Sequence, residues 1–104
     1  MLETVIRMQA GCSDIVQHLL SIGYIAASPP LQTGNTKAHL RTPDSSVRIV
    51  ITSIAEDGYT SRVFLEALSY PPGSTAQQQL RAVEHDVEGY ASLNRRAYKT
   101  RRPG

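Results

Sequence analysis

Apolar and polar residues alternate through the middle of this chain and recur at steps of three and four nearer its ends. Lys37–Thr42 (KAHLRT) sets Lys37, His39 and Arg41 against Ala38 and Leu40. Val47–Ile54 (VRIVITSI) repeats the pattern with Val47, Ile49 and Ile51 on one face. Ser61–Tyr70 (SRVFLEALSY) opposes Val63, Leu65 and Ala67 to Arg62, Phe64 and Glu66. A period of two is the signature of strands whose faces meet different surroundings. TPDSS and Asp57-Gly58 supply turn chemistry between them, so the three segments predict an antiparallel meander. Thr4–Ala10 (TVIRMQA) is short, rich in β-branched residues and ends at Gly11, which predicts a further strand whose place in the sheet stays open.

Helical spacing governs the other segments. In CSDIVQHLLSIGY, Ile15, Val16, Leu19, Leu20 and Ile22 share a face, Ser13 suits the cap, Asp14 suits the positive end of the dipole, and Gly23 suits the stop. The second helix is expected from Thr75, capped by Ser74, to about Lys99. Ala76, Leu80, Val83, Val87, Tyr90, Asn94 and Ala97 form its stripe. Its expected length is about 37 Å, against a radius of gyration of roughly 13 Å for a globule of this size, so its last turns are expected to overhang. A stripe of about three heptads also meets the lower limit for a helix pair. A homodimer through the long C-terminal helix therefore stands beside simple packing on the chain's own sheet. Pro29-Pro30 and Gly34-Asn35 mark the segment between the first helix and the meander as a loop. The expected fold is α+β: a single small domain in the order β-α-β-β-β-α, an antiparallel sheet of three or four strands with both helices on one face, and a long C-terminal helix. Residues 1–94 form the expected domain, and 95–104 its basic helix end and tail.

Charge changes this picture. The net charge is +2, but residues 1–94 hold six Lys/Arg and nine Asp/Glu, while 95–104 holds five cations and no acid. A mildly acidic body thus carries a strongly basic end. The 104 residues suit one domain, and the single cysteine, Cys12, excludes an internal disulfide. No apolar run approaches 18 residues, and MLETVIRMQAG lacks the pattern of a signal peptide, so a cytoplasmic protein without membrane segments is expected.

Catalytic chemistry is sparse. Cys12, Asp14 and His18 lie close in sequence, but a zinc site wants three or four ligands with paired Cys or His, and His39 and His85 sit on distant segments. Glu84, His85, Asp86 and Glu88 read as a solvated helix face. Cys12 precedes a helix start, where a thiol pKa falls, but no base accompanies it. No phosphate-binding glycine loop and no G-x-S-x-G occurs. No enzyme activity, metal or cofactor is expected.

Binding is the remaining class. With both helices on one sheet face, the other would show Lys37, His39, Arg41, Arg48, Arg62 and Phe64. Sheets that hold single-stranded RNA stack bases on two or three aromatics, and Phe64 alone is available here. The helix, three strands and helix also occur in double-stranded-RNA-binding domains, but STAQQQLRAVEHD lacks the lysine cluster those carry. The tail offers Arg95, Arg96, Tyr98, Lys99, Arg101 and Arg102 for phosphate contact. Small motif-free domains are common among phage and mobile-element proteins that block host nucleic-acid machinery, anti-CRISPR inhibitors among them. The first expectation is therefore a non-catalytic protein that occludes a surface of a protein or nucleoprotein partner. The second is a nucleic-acid-binding module using the tail and the cationic sheet face.

Overall fold

The computed structural model describes residues 3–9, 12–26, 37–55 and 60–101. In chain order these form β1 (Glu3–Met8), α1 (Cys12–Ser21), β2 (Ile25–Ala26), β3 (Lys37–Arg41), β4 (Arg48–Ala55), β5 (Ser61–Ser69), α2 (Ala76–Leu93) and β6 (Tyr98–Arg101). They build an antiparallel sheet in the order β2-β3-β4-β5-β1-β6.

The meander forms as the alternation predicts. β3, β4 and β5 are consecutive neighbours, with His39 opposite Val50 and Thr52 opposite Phe64. The turn from β3 to β4 is organised by Asp44. Its Oδ1 accepts from Thr42 Oγ1 at 2.8 Å, Ser46 N–H at 3.0 Å and Ser46 Oγ at 2.7 Å. These bonds hold the Asp44 carboxyl down at about pKa 2. Asp57-Gly58, Pro29-Pro30 and Gly34-Asn35 lie outside the described residues.

The sheet is wider than the three or four strands expected. β1 is an interior strand, flanked by β5 and β6, with Ile6 between Val63 and Thr100. Its inward residues explain the position: Thr4, Ile6 and Met8 are each at most 1% exposed, which an edge would not provide. The two edges are very short, two residues in β2 and four in β6. Short edges limit unwanted strand pairing.

α2 differs most from expectation. It ends at Leu93 rather than near Lys99, and its 18 residues span about 27 Å. The helix stops there and the chain returns to the sheet as β6, so no further helical turns project from the molecule. Arg96 N–H donates to Ala91 O at 2.7 Å and Arg95 N–H to Ser92 O at 3.3 Å, while Arg95 takes φ 53°. This is a Schellman stop with arginine in the left-handed position that glycine usually fills. Beyond it, the chain turns back and pairs with β1. The reason lies in the neighbours: a helix continued past Leu93 would find no sheet to pack on, whereas β1 has backbone groups on that side to satisfy.

Both helix starts shift slightly. Thr75, not Ser74, caps α2: its Oγ1 accepts from Gln78 N–H at 3.2 Å and its N–H donates to Gln78 Oε1 at 3.0 Å. This reciprocal pair is a capping box. Ser74 Oγ instead donates to Pro71 O at 2.7 Å. α1 begins at Cys12, so Ser13 lies inside its first turn. Gly23 takes φ 110°, fulfilling the expected stop.

α1 packs over β3 and β4, and α2 over β5 and β1. Ile15, Val16 and Leu19 from α1 join Leu80, Val83, Val87 and Ala91 from α2 in one core with Ile6, Met8, Leu40, Ile49, Ile51, Val63 and Leu65. The α2 stripe is thus occupied by the chain's own sheet. Tyr90 is half-buried, its ring meeting His18 edge-on at 5.6 Å, and Asn94 serves as the C-cap. Among the described residues, no helix is long and apolar enough to cross a membrane.

Candidate functional site

Because side chains alternate along a strand, the residues between the core positions emerge on the opposite side of the sheet. The register aligns them in rows. Lys37, Thr52, Phe64, Val5 and Arg101 lie side by side across β3, β4, β5, β1 and β6. A parallel row runs Ile54, Arg62, Arg7 and Lys99. His39, Val50 and Glu66 form a third, with Glu3 next in register, and Arg41 and Arg48 a fourth. Among the described side chains, this face therefore has seven Lys/Arg and a single carboxylate, Glu66.

The two rows that reach β6 enclose a shallow hollow of about 270 Å³ lined by Val5, Arg7, Arg62, Phe64, Lys99 and Arg101. Four cations surround an apolar floor of one valine and one half-buried phenylalanine. Arg62, Arg7 and Lys99 occupy directly opposed positions on three adjacent strands. The hollow is thus suited to an anion with an apolar or planar portion.

The opposite layer has the reverse charge. α1 and α2 together hold Asp14, Glu84, Asp86 and Glu88 against Arg81. Three of these acids are structural, which corrects the reading of Glu84, Asp86 and Glu88 as a solvated face. Thr4 Oγ1 donates to Glu84, which is only 1% exposed. Tyr24 Oη donates to Asp86 at 2.7 Å, and Thr100 Oγ1 donates to Glu88. Each carboxylate ties α2 to a different segment. Burial, reinforced by the bond to Asp86, pushes the Tyr24 phenol above its usual pKa. The fold thereby sets four carboxylates in the helix layer and brings Lys99 and Arg101 of the basic tail to the cationic sheet face.

Lys37, His39, Arg41, Arg48, Arg62 and Phe64 share the open face on which sequence reasoning placed them. Lys99 and Arg101 join them through β6. Arg95 and Arg96 instead lie exposed in the connection between α2 and β6. Tyr98 stands opposite Met8, on the helix side of the sheet, beside His85 and Leu93. Arg102 lies outside the described residues. Arg7 and Val5 are the additions that sequence reasoning missed. Their alternation with Thr4, Ile6 and Met8 was visible, but the position of their strand was not.

Cys12 is buried in the first turn of α1, and burial pushes its thiol pKa up, opposite to what nucleophile activation requires. Asp14 is exposed, and His18 packs on Tyr90. Among the described residues, no three His, Cys, Asp or Glu side chains gather where they would hold a metal ion. Fold and face together define a small α+β domain with a two-helix layer on one side of its sheet and a cationic surface on the other. In comparison with known proteins, no family model, curated protein or solved structure matches the chain.

Proposed function

We propose that this is a non-catalytic nucleic-acid-binding domain whose open sheet face holds the phosphate backbone. The observation that carries this reading is the hollow where Arg7, Arg62, Lys99 and Arg101 converge from three strands. Cations neutralise phosphates and release their counterions, which makes binding strong at low salt and weak at high salt. The acidic helix layer adds orientation, since a polyanion approaching from that side is repelled. The occluding-inhibitor reading rests on size and absent motifs alone, so the nucleic-acid reading is preferred.

Binding of the full chain to labelled DNA and RNA across a potassium chloride series tests it. Arg62→Gln and Lys99→Gln should each weaken binding and flatten the dependence of log K on log salt by about one unit or slightly less. Arg81→Gln, on the helix layer, should leave both unchanged. Absence of binding at low salt rejects the proposal.

A further inference from the structure

We infer that the ligand of this face is a single strand rather than a duplex, with one unpaired base seated on Phe64 inside the cationic hollow. This inference rests on the nucleic-acid reading and narrows it. The cations do not run along a ridge. They stand around an apolar floor, with Phe64 between Thr52 and Val5 in the register and Arg101 beyond Val5. A duplex presents phosphates outward and hides its base faces, so it would set charged groups over Val5 and Phe64 and leave that floor unused. A single strand turns out both parts at once. Its base offers a flat face to the Phe64 ring, and the phosphates on either side reach the flanking guanidinium and ammonium groups. The neighbouring Arg7 and Arg62 guanidinium planes add surfaces on which a base edge or face can rest. One stacking position with a surrounding charge cluster predicts sequence tolerance, because every base has a π-face.

The experiment compares four probes on the intact chain at fixed low salt: a 12-nucleotide DNA strand, the RNA strand of the same sequence, the blunt DNA duplex, and a 12-unit abasic strand. Tightest binding of the two base-bearing strands, at least tenfold over duplex and abasic probes, is the expected result. Phe64→Leu, which keeps the site apolar, should remove most of that preference, while Phe64→Tyr should retain it. The salt slope should stay the same in both variants, and thermal melts confirm that each is folded. Equal affinity for duplex and single strand, or for abasic and base-bearing strands, overturns the inference yet leaves the nucleic-acid reading intact. So does an unchanged preference in folded Phe64→Leu. Failure of all four probes to bind rejects both.

Discussion

At the scale of single residues, the buried Thr4–Glu84 pair joins β1 to α2 at the centre of the molecule. Thr4→Val leaves the Glu84 carboxylate without that donor in a buried setting, and should lower unfolding free energy by about 1–3 kcal/mol in a urea titration. Arg95 makes a separate point. Its φ of 53° suits glycine, so Arg95→Val should destabilise by about 1–3 kcal/mol, while Arg95→Gly should not. Tyr24 contributes to stability on the alkaline side. Its pKa is raised in the folded state, so the folded state favours the protonated phenol. That contribution is complete below about pH 10 and is lost as pH rises beyond it. Stability of Tyr24→Phe should be lower than wild type near neutrality and decline less steeply above pH 10, as followed by denaturant melts at stepped pH. Neither Glu84 nor Asp86 was legible as structural in EHDVE, because a helix face looks solvated until the partners Thr4 and Tyr24 are brought to it from 80 and 62 residues away.

The elements divide into those fixed by local pattern and those fixed by tertiary context. The alternation in β3, β4 and β5 and the stripe through Leu80, Val83 and Val87 report their own structure, since burial on one side imposes the period directly. β6 does not. Asn94 and Ala97 continue the helical stripe, and nothing in NRRAYKTR marks the stop, because the residue that takes the left-handed position is Arg95 rather than glycine. The strand forms because β1 offers an edge and Glu88 offers an acceptor to Thr100. A chain ending after Ala97 should therefore lose more than charge. Removing residues 98–104 uncovers the edge of β1 and deletes Lys99, Arg101 and Arg102 together. Such a chain should melt at lower temperature, and its nucleic-acid affinity should fall further than in the folded triple variant Lys99→Gln/Arg101→Gln/Arg102→Gln, as read by calorimetry and anisotropy side by side.

For the whole molecule, the consequence of the fold is a change in how charge is distributed. Along the sequence the cations cluster at the end; in three dimensions Lys99 and Arg101 from that end join five cations of β1, β3, β4 and β5 on one sheet face, with four acids in the helix layer. Lys37, Arg41, Arg48 and Arg62 could be assigned to that face from alternation alone. Arg7 needed the position of β1, and Lys99 and Arg101 needed the unexpected strand. The hollow was hidden from the sequence for the same reason, since its lining comes from both ends and the middle of the chain. Four phosphate contacts there would give a salt slope of about −3 for a single strand. The most direct measurement is an NMR titration of the arginine side-chain Nε–H signals with a short single strand at low salt. Arg7, Arg62 and Arg101 should shift together and in proportion to occupancy, with Arg81 unmoved. Shifts at Arg81, Arg95 or Arg96 while Arg7 and Arg62 stay still, or no shift at any arginine, would contradict binding by the open sheet face.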